Sequence, residues 1–251
     1  MGAPTVANIK AGFARARTLR QPTEARMDQA FKLAMPGRGS FYSGNVSDDI
    51  DDVFDETAIV ATQEFASRLQ SGITPNFARW SQLESGSDVE PEEKKEVNTG
   101  LDGVTESMFE LISSSNFGQE SYEAFLDLSV SMGCLEIEKG TANQPVMFNA
   151  VPSTQLWVET GTFDQLHRLS RLRAYSSEAL IVKYPKAASA FPEADRLRFI
   201  ETGEAIEILE ATTRDWTQPN DHHHYKSIIW LKGDKNVTTI EYKGFGSCPM
   251  I

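Results

Sequence analysis

Residues 116–161 read NFGQESYEAFLDLSVSMGCLEIEKGTANQPVMFNAVPSTQLWVETG, and the fold class turns on how this stretch divides. Asn116 is placed to cap a helix, with Gln119 three residues on to reach back to it, the reciprocal arrangement of a capping box. Phe117, Tyr122, Phe125, Leu126, Leu128 and Met132 supply a broad apolar face, and Gly133 the φ > 0 stop expected just past a helix end. The period then changes from helical to two. Leu135 and Ile137 alternate with Glu136 and Glu138, Gly140 to Asn143 make a turn, and Val146, Phe148 and Ala150 form a second alternating run closed by Pro152. The stretch predicts a helix, a glycine stop and a β-hairpin whose apolar face the helix buries. The fold class it implies is α+β.

Upstream, the pattern is helical. Asn8 to Leu33 is a basic amphipathic run interrupted at Gln21-Pro22-Thr23, with Met27, Ala30, Phe31 and Ala34 at helical spacing in its second part. Its Arg15, Arg17, Arg20 and Arg26 suit contact with nucleic acid or a neighbouring protein, or simply a solvated helix face or a mobile arm. Pro36 to Gly44 reads as a loop. Ser47 caps the next helix, and Asp48, Asp49, Asp51 and Asp52 lie where the helix dipole favours negative charge. Val53, Phe54, Ala58, Ala61, Phe65 and Leu69 carry its apolar period to Gly72. The aspartates lack the Asp-x-Asp-x-Asp/Asn-Gly spacing of a calcium loop. Trp80 reads as a packing anchor. Glu90-Pro91-Glu92-Glu93 leads into a further helix, in which Leu101, Val104, Met108, Phe109 and Ile112 form the core face.

Downstream, the pattern turns to β. Leu156 to Glu159 is a short strand. Phe163 to Tyr175 carries leucines every third residue among arginines, a period compatible with helix or strand. Ile206 with Ile208, then Tyr225, Ser227, Ile229 and Leu231, then Val237, Thr239 and Glu241 alternate, with Gly233 to Asn236 as a hairpin turn. The organisation predicted is a basic N-terminal helical arm and loop over 1–44, a helical part over 45–132 and a β-rich part over 133–251.

The 251 residues carry 24 Lys and Arg against 36 Asp and Glu, a net charge of -12. A chain of 27.9 kDa can bury roughly 70–75 % of its unfolded surface, enough for a sizeable core. The mean hydropathy of -0.36 is far from membrane composition, and no apolar run approaches the roughly 20 residues that span a bilayer. Ile9 to Arg20, punctuated by basic residues, is no signal peptide. Two cysteines, Cys134 and Cys248, suit a reducing compartment rather than a disulfide framework. A protein that grips DNA by neutralising phosphates is basic at the contact, so the acidic balance disfavours tight nucleic-acid binding.

One constellation has the composition of a site. Asp221-His222-His223-His224 places His222 and His224 on one face of an extended chain, as metal-binding His-x-His pairs do, with His167 or a carboxylate as further ligands. The preceding Gln218-Pro219-Asn220 marks a turn, which instead makes these histidines the start of a solvent-facing strand edge. No phosphate loop, nucleophile elbow, His-Glu-x-x-His or CxxC occurs. Cys134 is read as a buried small hydrophobe. No catalytic, cofactor-binding or metal residue is assigned.

The ordered run Asn116-Phe117, Asp127-Leu128, Met132-Gly133-Cys134-Leu135-Glu136-Ile137-Glu138 and Phe148-Asn149-Ala150-Val151-Pro152 resembles the head-to-tail connector, or portal, proteins of short-tailed (podovirus) phages. Gly72-Ile73-Thr74-Pro75 and Trp80 extend the likeness. The resemblance implies a strand followed by a helix for Phe163 to Tyr184, the helix starting at Ser176 with Leu180, Ile181 and Tyr184 inward and Pro185 after its end. It implies that most of 45–251 is the N-terminal "wing" half of a portal, with the stem, clip and crown regions absent from this chain. It further implies a structural subunit without enzymatic chemistry or cofactor, in a homo-oligomeric ring of about twelve copies around one axis. That ring would sit at the portal vertex of the virion, assemble in the host cytoplasm without a membrane, and contact capsid protein, terminase and tail adaptor proteins. Double-stranded DNA would pass through it during packaging and ejection. The rival readings are a metal-dependent enzyme with a β-rich core using His222 and His224, and an acidic adaptor that forms no ring.

Overall fold

The computed structural model describes residues 5–36, 55–76, 78–161, 166–187, 201–202, 205–217, 224–231 and 239–250. The chain divides into two compact units. One comprises residues 1–29, 38–46 and 153–249, the other 30–37, 47–152 and 250–251. The fold is α+β, as expected.

The first unit is built on a five-stranded antiparallel meander of β3 (Leu156–Thr160), β4 (Leu166–Tyr175), β5 (Ile206–Arg214), β6 (Tyr225–Leu231) and β7 (Thr239–Phe245), in that spatial order. The ambiguous leucine run is therefore a strand, followed by the short helix α5 (Ser177–Lys183). Ser176 caps α5, its hydroxyl accepting from the Ala179 amide at 3.2 Å. Leu180 and Tyr184 turn inward and pack on Ile206, Ile208 and Ile229. The opposite sheet face, with Leu209, Ala211, Ile228 and Trp230, packs on Ile9, Val6 and Phe13 of the N-terminal helix α1 (Val6–Ala34). With both faces covered, β5 is buried at Ile206 and at every position from Ile208 to Thr213, a pattern that simple alternation does not predict. The expected turn Gly233 to Asn236 and Val237 lie outside the described residues, but β6 and β7 pair antiparallel as anticipated.

Two expectations for α1 are corrected. Pro22 does not interrupt it: the helix runs through for 29 residues. A proline inside a helix costs about 3 kcal/mol or more. Buried positions on both sides, Ile9, Ala16 and Phe31 among them, hold the helix in place. Nor is α1 a mobile arm, because one face is docked on the sheet.

The second unit joins three helices to the predicted hairpin. These are α2 (Thr57–Ile73), α3 (Lys94–Ser114) and α4 (Phe117–Val130), with β1 (Leu135–Lys139) paired to β2 (Val146–Ala150) so that Ile137 lies opposite Phe148. Ser47 to Phe54, where a cap was expected, lies outside the described residues. Asp55 performs that role for α2, accepting from the Thr57 amide at 2.8 Å and hydroxyl at 2.6 Å. These bonds hold its carboxyl below the usual range.

The helix faces shift from those expected. On α2 the buried residues are Thr62 and Ala66, while Phe65 is exposed. Gln70 explains the turn, since its side-chain amide donates to the Gly118 carbonyl and to Ser121 of α4. On α3 Thr105 replaces Val104 in the interior; its hydroxyl accepts from the Leu83 amide and donates to the Leu101 carbonyl. In α4 Ser121, Ala124 and Asp127 are buried and Leu128 is exposed.

The capping box is also absent. The Asn116 side chain makes no cap bond. Ser115 accepts from the Phe117 amide instead, at 3.1 Å. Helix α4 ends at Val130, before Gly133, and Gly133 does not adopt a positive φ. Glycine is needed there for another reason. A Cβ would lie 2.6 Å from the Ala124 carbonyl oxygen, so the chain leaving α4 can fold back against the helix only without a side chain. The hairpin alternation is inverted on β1, where Glu136 is buried and Ile137 is 42 % exposed. Glu136 accepts from the Asn149 amide group and pairs through its backbone with Met250.

Candidate functional site

The features best suited to hold partners are the seam between α1 and the sheet in the first unit and the aromatic cluster at the start of α4 in the second. Along the first, Gly12 of α1 leaves a gap that Arg168 of β4 fills: a Cβ there would fall 1.2 Å from the guanidinium Nη1. Arg168 Nη1 donates to Glu159 Oε2 at 2.9 Å, and Arg15 Nε of α1 donates to the other oxygen, Oε1, at 2.8 Å. Glu159 therefore bridges the helix and the sheet with one carboxylate. Burial pulls the Arg168 pKa below its ordinary value, with Glu159 acting against that shift.

One turn further on, Arg20 donates through Nη1 to the Ser153 carbonyl at 2.9 Å and to the Leu156 carbonyl. Its guanidinium lies 5.1 Å from the Trp157 ring centre, and Phe13 meets the same ring edge-on at 5.2 Å. Beside these contacts α1 and the sheet leave a cleft of about 770 Å³. Phe13, Trp157, Leu172, Leu209 and Trp230 give it an apolar lining, and Lys10, Arg17 and Glu24 stand among its polar residues.

In the second unit, Phe109, Trp80, Phe117 and Phe148 form a chain of rings. Trp80 meets Phe109 edge-on at 5.3 Å and stacks on Phe117 at 5.9 Å, and Phe117 meets Phe148 at 5.0 Å. Trp80 is thus a packing anchor as expected, although 39 % exposed. Behind the rings, Asn116 bonds both backbone groups of Phe148, and Glu120 Oε2 accepts from the Ala150 amide at 2.7 Å. Asn116, just before α4, and Glu120, in its first turn, satisfy the outer edge of β2, as a third strand would.

Of the four histidines, His167 and His224 are among the described residues. His222 lies outside the described residues. His224 precedes β6, and its carbonyl accepts from the Asp215 amide at 2.6 Å. His167, on β4, accepts at Nδ1 from Trp216 Nε1 at 2.9 Å. Burial, and then the neighbouring Arg168, lower its pKa. Among the described residues no group of three or more His, Cys, Asp or Glu side chains could hold a metal ion. No described helix is long and apolar enough to cross a membrane.

Sequence reasoning missed the Gly12–Arg168–Glu159 junction. Its one legible signal is a glycine amid the apolar face of a helix, where alanine would be the stable choice. The Asn116 bonds to Phe148 left no signal, because an asparagine before a helix reads as a cap.

Across both units, the model of a family described as bacteriophage head to tail connecting protein matches residues 6–251. No curated protein matches the chain.

Proposed function

The chain belongs to the bacteriophage head to tail connecting protein family, and from that premise we propose that it is a portal subunit of the short-tailed phage type. Connectors of this family are structural proteins of the virion that work between capsid and tail. The proposed reading adds a closed ring of about twelve copies, in which one surface of each copy meets a different surface of the next. Terminase would drive double-stranded DNA through that ring during packaging, and DNA would leave by it on ejection.

The observation that carries this reading is the extent of the match, which runs through the helical unit and the sheet unit alike. The site geometry is in keeping with it: the side chains that meet at α1 and at α4 join elements together. The net charge of -12 suits a conduit wall that repels the duplex. Free duplex should therefore bind only weakly.

Electron microscopy and sedimentation of the protein as the phage encodes it test the reading. The expected result is one species of about a dozen subunits, with an axial hole of roughly 20 Å or more, wide enough for B-form DNA. Monomers or two-fold dimers at every concentration would overturn it. A tightly bound metal ion, one per chain and lost on replacing His222 and His224 together by Ala, would revive the enzyme reading.

A further inference from the structure

Charge is divided unevenly between the two units. The sheet unit holds 18 basic and 15 acidic residues, a net +3, and the helical unit 6 basic and 21 acidic, a net -15; together they give the -12 of the whole chain. The contrast sharpens locally. Residues 1–29 carry five basic and two acidic side chains, whereas residues 84–110 carry nine acidic and two basic.

The same two regions also present a cleft and an exposed apolar row. Helix α3, within the acidic stretch, exposes Val97, Val104 and Leu111 by 37, 54 and 42 %. They fall seven residues apart, two helical turns, and so form one row. The inward face of α3 is a different one, centred on buried Thr105. Gly100 and Gly103 lie beside the exposed row, and a Cβ on either would meet nothing within 4 Å. A glycine inside a helix costs roughly 0.5–1 kcal/mol relative to alanine, and among the described residues nothing packs against these two to require it. Exposed Glu96 and Glu110 flank the same side.

The cleft along α1 has an apolar floor of Phe13, Trp157, Leu209 and Trp230, with Lys10 and Arg17 of α1 exposed at its edge. Helix-in-groove recognition needs an apolar row at helical spacing, a groove to receive it and opposite charges at the rim. We infer that the cleft between α1 and the sheet of one copy receives the exposed Val97–Val104–Leu111 row of α3 from a second copy, with Lys10 and Arg17 facing the acidic flank. The contact is heterologous, one surface meeting a different one, and so can propagate from copy to copy and close a ring. It rests on the ring reading above and assigns the surfaces that reading leaves open.

Charge reversal tests it on the protein as the phage encodes it. Lys10→Glu with Arg17→Glu makes one variant, and Glu96→Lys with Glu110→Lys the other. Each alone should lose the assembled species in sedimentation, and an equimolar mixture should recover it, since each variant's altered surface then meets an opposite charge. The Val104→Arg variant should lose assembly and not be recovered by either partner. All changed positions are exposed, and circular dichroism confirms that each variant is folded. Variants that assemble like the unaltered protein, or a mixture that stays unassembled, would overturn the contact while leaving the ring reading intact. Failure of the unaltered protein to assemble at any concentration would overturn the ring reading and this contact with it.

Discussion

The side-chain amide of Asn116 bonds Phe148 as a neighbouring strand would. Its Oδ1 accepts from the Phe148 amide at 2.9 Å, and its Nδ2 donates to the Phe148 carbonyl at 2.7 Å. The helix and the hairpin are therefore joined by hydrogen bonds at the edge where Phe117 and Phe148 also meet. Replacing Asn116 by Ala leaves both backbone groups of Phe148 without these partners in a half-buried place. The expected loss is about 1–3 kcal/mol in chemical denaturation, the cost of an orphaned buried polar group. A change below about 0.5 kcal/mol would show that the bonds contribute nothing net.

Two glycines should respond in opposite directions to the same substitution. Gly133→Ala drives a methyl group to 2.6 Å from the Ala124 carbonyl oxygen, part of the α4 backbone, which cannot step aside. Overpacking of this kind costs about 1–3 kcal/mol. Gly100→Ala meets nothing within 4 Å and should stabilise the monomer by about 0.5–1 kcal/mol through helix propensity. Thermal melts of the two variants under conditions that keep the chain monomeric distinguish them, and a shift of the same sign in both would refute the local geometry.

Glu159 holds two arginines of very different burial. The Arg168 side chain is 7 % exposed, the Arg15 side chain 60 %. Glu159→Gln strands a buried guanidinium and should cost about 3 kcal/mol, at the lower end for a broken buried pair. Arg15→Gln removes a solvated partner and should cost under about 1 kcal/mol. Urea titration of both variants gives the ratio directly. Equal losses would mean that burial of Arg168 does not govern the junction.

His167 sets a pH dependence. Its folded pKa lies below the ordinary value, because burial and Arg168 both disfavour the imidazolium. The unfolded chain then takes up a proton first as pH falls through about 6.5, the ordinary histidine value. Stability contributed by neutral His167 is complete above that pH and declines below it, until the folded form protonates as well. In a His167→Gln variant the fall in stability between pH 7 and 5 should be shallower than in the unaltered chain. An identical slope would show that His167 does not titrate differently on folding.

Much of the order of elements was legible in the residues alone. The change from helical to two-residue period at Gly133 announced the α+β class, and the alternation in Val146 to Ala150 gave the hairpin its correct partners. The family resemblance implied a helix start at Ser176, and the cap found there is a local bond between a side chain and an amide three residues on. Such features are legible because the interactions behind them span only a few positions. Tertiary structure decided which face of each element is inside. Val104 and Phe65 look like core, and Thr105 and Thr62 like surface, until Leu83, Gln70 and the neighbouring helices supply hydrogen bonds that reverse the assignment. Pro22 looks like a break until buried residues on both sides hold the helix together. Gly133 reads as a left-handed stop and Asn116 as a cap, because each residue type has more than one physical use. The choice between those uses is made by atoms far away in sequence, the Ala124 carbonyl for one and the Phe148 backbone for the other.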